Sequence, residues 1–222
     1  MKKLLIVIRK QLKKIKILRL IYYKINSNYS YFNNLNLNND SVVLDLGANI
    51  GSISQLLYDK YNCNIFCFEP NDIAFKKLKK KFLNIKKIKC YKFAVSDKTG
   101  YSKLYLHIDY KKDPAKLSTA SSLLKNIENV NKLNYKNIKT ISIKNLLKKF
   151  KIIDLIKIDI EGSEYKILPE IIKNRYKIKK VICELHGIAG TKKNLFLNQN
   201  YKKIITILKK KKLIGRWFVQ HF

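Results

Sequence analysis

From residue 42 onward, short apolar runs alternate with stretches whose apolar residues fall at helical spacing. Residues 42–46 (VVLDL) form a run too short for a helix and with almost no polar alternation, which predicts a strand buried on both faces. Residues 52–61 come next, with Ile53, Leu56 and Leu57 on one helical face. Residues 64–68 predict a second buried strand, closed by Pro70, and Asn71 or Asp72 can cap a helix running to about residue 82. Residues 88–95 predict a third strand. The rhythm then breaks: 101–108 alternates like an added strand, 111–137 is polar and reads as a loop or lid, 139–143 as a short strand and 145–150 as a short helix. It returns with strand 155–160, helix 164–173, strand 181–185, helix 195–210 and an extended segment over 213–222. Short strands separated by helices imply an α/β fold, a mostly parallel central sheet with helices on both faces. Such sheets bind ligands at the carboxyl ends of their strands, near the point where strand order reverses.

Residues 1–40 stand apart. Residues 2–24 predict a basic amphipathic helix and 26–40, rich in Asn, Ser and Tyr, a linker or irregular entry, so that 41–222 is the main domain. The first apolar run, Leu4 to Ile8, is too short for a signal peptide or a membrane span, and lysines and an arginine interrupt the residues after it. The expectation is a helix docked on a cytoplasmic domain, with an anionic membrane surface as its other use.

Charge complicates the picture. The chain has 48 Lys and Arg against 15 Asp and Glu, a formal net charge of +33. Polyanion binding would exploit this. Yet only Arg9, Arg19, Arg175 and Arg216 are arginines, the residue best suited to phosphate and base contacts. The co-abundance of Lys, Asn, Ile and Tyr points to compositional drift and a solvated lysine coat, so nucleic acid is not the favoured partner. Cys63, Cys67, Cys90 and Cys183 lie in or beside apolar runs without zinc-ligand spacing; they predict reduced, mostly buried thiols and no metal site.

Two segments carry candidate chemistry. Asp45-Leu46-Gly47-Ala48-Asn49-Ile50-Gly51 joins the first strand to the first helix. Gly47 and Gly51 allow a tight turn and close backbone approach, the helix N-terminus suits an anionic group, and Asp45 can accept from an ammonium. Glu69 lies 18 residues after Gly51, at the end of the second strand, where a carboxylate can accept both ribose hydroxyls of a nucleoside. The loop lacks GxGxxG spacing for a pyrophosphate, and no P-loop pattern occurs. After the third strand, Ser96 and Asp97, or the backbone beside them, could meet an adenine amino group; Asp97 equally suits a turn. The second segment, Leu155-Ile-Lys157-Ile-Asp159-Ile-Glu161-Gly162-Ser-Glu164, places Lys157, Asp159 and Glu161 on one side of a strand end. Glu164 fits the first turn of a helix, whereas Asp159 and Glu161 have no such structural reason. Burial of Lys157 would require one of these acids as a partner.

In order along the chain, Asp45-x-Gly47-Ala48-Asn49-x-Gly51, Phe68-Glu69-Pro70, Ala94-Val95-Ser96-Asp97, Ala120-Ser121-Ser122-Leu123, Leu155-Ile-Lys-Ile-Asp159-Ile-Glu161-Gly162 and Glu184-Leu185-His186 resemble the motifs of FkbM-like methyltransferases. The resemblance spans about residues 40–186. It implies a class I Rossmann-like fold, S-adenosylmethionine (SAM) as cofactor, and methyl transfer to a hydroxyl, often of a sugar or small metabolite. In this reading Asp45, Gly47, Asn49, Gly51, Glu69, Ser96 and Asp97 hold the cofactor. Asp159 is the first candidate base, with Glu161, Glu184 and His186 beside it. The segment 217–222 either supplies the family's seventh core strand or leaves it missing, and the loop 111–137 has no secure counterpart. An N-methyltransferase would carry an Asn/Asp-Pro-Pro-aromatic turn where this chain has Asp159-Ile-Glu-Gly, and a cytosine methyltransferase would need a Pro-Cys pair. RNA ribose methylation is chemically compatible, and a non-catalytic SAM-fold binding module is the alternative outside the enzymes.

Overall fold

A computed structural model describes residues 16, 19, 31–109, 121–125, 130–186, 195–213 and 218–221. The elements are β1 (Val42–Leu46), α1 (Ser52–Tyr61), β2 (Asn64–Phe68), α2 (Asp72–Lys81), β3 (Ile88–Tyr91), β4 (Ala94–Ser96), β5 (Gly100–His107), β6 (Val130–Ser142), α3 (Ile143–Leu147), β7 (Ile153–Ile158), α4 (Glu164–Lys173), β8 (Ile178–Leu185), α5 (Leu195–Lys210) and β9 (Phe218–His221). Six strands form one sheet in the order β3-β2-β1-β7-β8-β9, and every neighbouring pair is parallel. The order reverses between β1 and β7, which opens the crevice where such folds hold ligands.

Alternation along the buried strands separates two cores. Val43, Ile65, Cys67, Leu155 and Ile182 pack with Leu56 and Leu57 of α1 and Leu78 of α2 on one face. Leu44, Leu46, Ile156, Ile158, Val181 and Leu185 pack on the other against α3, α4 and α5, through Leu147, Ile167, Ile171, Ile204 and Leu208. Strands fully covered on both sides carry no polar alternation, which is why they read as continuous apolar runs. Each completely buried leucine or isoleucine contributes about 1.5–3 kcal/mol by leaving water. Asn71 caps α2, its side chain accepting from the amides of Ile73 and Ala74.

The interrupted middle is a second sheet, β4-β6-β5, with β4 parallel and β5 antiparallel to β6. Three expectations are corrected here. Residues 88–95 are not one strand: after Tyr91 the chain leaves the main sheet, and Ala94–Ser96 pairs instead with Thr140–Ser142. Residues 130–137 are not loop but the first part of β6. Leu104, Leu106 and Ile138 face a small core while exposed residues such as Leu133, Tyr101 and Tyr135 cover the other side. One solvated face makes the strand polar enough to resemble a loop. Ile143, placed at a strand end from the sequence, opens α3 behind the Ser142 cap. Residues 110–120 and 126–129 of the expected lid lie outside the described residues.

Most of the expected N-terminal helix also lies outside them, but Lys16 and Arg19 are helical. Arg19 donates Nε and Nη2 to the two carboxylate oxygens of Asp59 on α1, at 2.7 and 2.9 Å. This is the bidentate geometry a guanidinium favours. Residues 31–35 are packed rather than loosely strung: Phe32 and Leu35 are core, and the Tyr61 hydroxyl donates to the Phe32 carbonyl while accepting from the Leu35 amide. No helix among the described residues is long and apolar enough to cross a membrane. At the other end, residues 218–221 add the sixth parallel strand beside β8, rather than a seventh. All four cysteines are free, and only Cys90 is less than fully buried.

Candidate active site

A cleft opens at the carboxyl ends of β1, β2 and β7. Gly47, Asn49, Glu69, Asp159 and Glu161 line its polar side, and Phe68, Phe93, Val95, Leu104 and Leu123 its apolar side. With its open mouth it contains about 670 Å³ of empty space.

The β1–α1 loop forms the floor. The Gly47 and Ala48 amides both donate to the Phe68 carbonyl, tying the loop to the end of β2. Gly47, Asn49 and Gly51 all have positive φ, at 78°, 49° and 76°. A Cβ on Gly47 would come within 1.8 Å of the Asp159 carbonyl, and one on Gly51 within 2.4 Å of the Phe82 ring. The close approach these glycines permit is therefore first to β7 and to the end of α2. Glu69 is buried, and its two oxygens accept from the Asn49 and Asn71 amides at 2.8 and 2.7 Å. Burial pushes its carboxyl up to about 7, against the pull of those two amides and of Lys157.

Asp45 lies beneath the loop and is fully buried. Its Oδ2 accepts from Ser54 at 2.5 Å and its Oδ1 is 3.4 Å from the Lys157 ammonium. Lys157 donates to the Gly47 carbonyl at 2.7 Å and sits 3.4 Å from Asp159. Burial works against its charge, but Asp159 and Asp45 more than offset that and hold its pKa above the ordinary lysine value. The expected pairing of Lys157 with an acid is thus a bridge between the cofactor loop and the end of β7. Asp45 shapes the site from below instead of facing the cleft. Ser96 and Asp97 also lie apart from the residues lining it: the Ser96 hydroxyl donates to exposed Asp97, a turn contact, while Ala94 and Val95 form the wall.

The end of β7 continues into an unusual turn. Glu161 and Gly162 have φ of 52° and 92°, both left-handed, and Glu161 is not a residue that adopts this readily. Glu164, wholly buried at the start of α4, holds the turn: its Oε1 accepts from the Ile160 and Gly162 amides at 3.0 and 3.2 Å. The same oxygen lies 3.1 Å from His186 Nδ1, and Glu164 Oε2 has no hydrogen-bond partner among the described residues. The other imidazole nitrogen, Nε2, faces Glu161 at 3.4 Å, Glu184 at 3.6 Å and Asp159 at 3.9 Å. Burial alone would lower the histidine's pKa; the bond to Glu164 and the charges of Glu164, Glu161 and Asp159 carry it up to about 9. Burial also pushes Glu161 up to about 7, with His186 opposing and the neighbouring acids assisting, and raises Glu184. The four expected catalytic residues therefore converge.

Three residues join the site without a role in it assigned from the sequence: Glu164, and Ser121 and Ser122 of the Ala120–Leu123 motif. Glu164 was assigned to the helix terminus alone. Ser121 and Ser122 come from the edge of the expected lid: the Ser122 hydroxyl donates to the Glu161 carbonyl, and Ser121 lines the cleft with a buried hydroxyl that has no partner among the described residues. Asn49 Oδ1 is likewise buried without a partner in the cleft lining. Orphaned polar atoms of this kind are rare in folded chains and suit a ligand that supplies their missing bonds. With a carboxylate at the end of β2 and an apolar slot beside it, they fit a nucleoside-bearing cofactor.

No individual curated protein matches the chain. A family model, the methyltransferase FkbM domain, matches residues 45–212, well over half its length and spanning the cofactor loop, Glu69 and the whole acidic cluster. The chain belongs to the FkbM methyltransferase family, whose cofactor is SAM.

Proposed function

We propose that this methyltransferase acts on oxygen, transferring the SAM methyl group to a hydroxyl of a sugar, glycan or small metabolite. The observation that carries the reading is the convergence of Asp159, Glu161, Glu184 and His186 beside the cofactor cleft. Bound SAM supplies an already activated methyl group. An alcohol is a weak nucleophile, so the protein has to orient the hydroxyl and receive its proton.

Asp159 is positioned to do this, because it lines the cleft at the end of β7 and Lys157 fixes its carboxylate. Glu161 lines the same wall and is the second acceptor. His186 carries its own proton at neutral pH, so it serves to balance and align the acids rather than to take a proton. Glu69 would accept the ribose hydroxyls, with the Asn49 and Asn71 amides holding its carboxylate in place. Asp45 and Lys157 keep the loop and β7 in register.

The same cluster argues against RNA despite the +33 charge. Its three carboxylates around the reacting region repel a phosphate backbone, and the lysines that would attract one are spread over helices and strand ends. Incubation with labelled SAM and a panel of glycosides, hydroxylated metabolites and RNA, followed by chemical identification of the methylated atom, tests the proposal. O-methylated small acceptors are expected; labelled amines or labelled RNA in their place would overturn it.

A further inference from the structure

The chain holds only 15 acidic residues against 48 basic ones, yet four of the acids surround one imidazole. One imidazolium and one ammonium, that of Lys157, do not balance them. This is not a surface cluster of carboxylates. Its donors include an aromatic nitrogen, and ligand atoms of Asp159, Glu184 and His186 all lie within 4.8 Å of one another. The separations from Nε2 to the three nearest acids, 3.4–3.9 Å, are too long for direct hydrogen bonds. They exceed the roughly 3 Å between neighbouring ligands on one ion whose bonds are about 2.1 Å, so the acids would have to draw inward by about half an ångström or more to share one.

The opposite nitrogen is fixed in the way metal-bound histidines are fixed. Nδ1 faces a carboxylate oxygen of Glu164, which sets the ring so that Nε2 points at the other acids. A further observation is the second oxygen of that completely buried glutamate: among the described residues Oε2 has no donor, so the negative charge behind the ring is only half satisfied. Positive charge on the far side of the imidazole would compensate it.

We propose that Asp159, Glu184 and His186 form a binding site for a divalent cation of the Mn²⁺ or Mg²⁺ type, with Glu161 at its rim and its remaining positions open towards the cleft. Two carboxylates with one imidazole favour such an ion over the thiolate-seeking metals. The ion takes the place of the Nε2 proton, as metal binding generally does. Its role in the reaction rests on the methyl-transfer reading, whereas its binding does not. In that role it would hold two adjacent oxygens of the acceptor, such as neighbouring hydroxyls. As that hydroxyl's oxygen bonds to the methyl carbon, the methyl–sulfur bond of SAM would break, and the proton would pass to the carboxylate oxygen of Asp159 that the ion leaves free.

The test uses full-length protein stripped with a chelator. Mn²⁺ is titrated and the free ion is read by its paramagnetic resonance signal; SAM is titrated by calorimetry on the same samples. Wild type is expected to bind one Mn²⁺ per chain, displaceable by Mg²⁺. Glu184→Gln and His186→Asn are expected to bind it at least about tenfold more weakly, with SAM affinity within about twofold of wild type. Absence of saturable Mn²⁺ binding, or equal binding by both variants, overturns the site. Should His186→Asn unfold, shown by loss of SAM binding, Glu184→Gln carries the test, because that side chain is about one-third exposed. Protein that binds Mn²⁺ and SAM but methylates no hydroxyl would sink the oxygen-transfer reading and leave the ion site standing.

Discussion

Affinity for SAM should fall as the pH drops below neutrality, and Glu69 is the reason. In the free protein its carboxyl titrates at about 7, because burial outweighs the two amides and Lys157. Ribose hydroxyls need an acceptor, and a protonated carboxyl spends one oxygen on its own hydrogen. Between about pH 8 and about pH 6 the ionised fraction falls from roughly nine-tenths to one-tenth, so Kd should rise about tenfold, or about 1.4 kcal/mol. Near pH 6 each binding event should release close to one proton, which calorimetry in buffers of different ionisation enthalpy measures directly. Glu69→Gln should bind more weakly at every pH and lose this slope, since the amide cannot titrate and sets an NH₂ against one of the Asn49 and Asn71 amides. In the free chain the same group acts on stability with a definite sign. Its folded pKa exceeds the ordinary value of 4.5, so its contribution is full below that pH and is lost as the pH rises through about 7, by about 3 kcal/mol. SAM should therefore raise the melting temperature more at pH 8 than at pH 6. A flat affinity across this range, or an unchanged slope in Glu69→Gln, would refute the assignment.

Three substitutions test the framework around the cleft. Gly47→Ala sets a Cβ 1.8 Å from the Asp159 carbonyl in a left-handed conformation; overpacking against backbone should cost at least about 1–3 kcal/mol and abolish SAM binding, measured by thermal unfolding and calorimetry. Lys157→Met leaves the wholly buried Asp45 without its cation, for which denaturant unfolding should report a loss of about 3–5 kcal/mol. Arg19→Ala removes the bidentate partner of the buried Asp59 carboxylate; a loss of about 1.5–3 kcal/mol, with faster amide exchange in residues 2–24, would show that the N-terminal helix docks here.

Where two-sided burial dictates the pattern, the fold was legible. Residues 42–46, 64–68 and 164–173 lie where apolar runs, Pro70 and helical spacing place them. The misreadings share a cause: β6 is half solvated, so its lysines and asparagines masked a strand, and only pairing with β4 reveals that residues 88–95 divide between two sheets. Asp159, Glu161, Glu184 and His186 could be singled out from the sequence because they fall at the ends of neighbouring strands, and the structure brings them together. Glu164 could not be singled out, because a glutamate in a helix's first turn is ordinary until tertiary packing buries it against His186. Asp45 shows the converse. Its position in the loop suggested a ligand contact, and nothing in the sequence signalled its complete burial against Ser54 and Lys157.

Asp159→Asn tests the central claim most directly, with single-turnover transfer of labelled methyl measured at saturating SAM. Removing the proton acceptor while keeping the shape of the side chain should leave SAM affinity within a few-fold of wild type and slow transfer by about 10²–10⁴-fold. Transfer at the wild-type rate would contradict the account, because the acid nearest the end of β7 would then have no part in the chemistry.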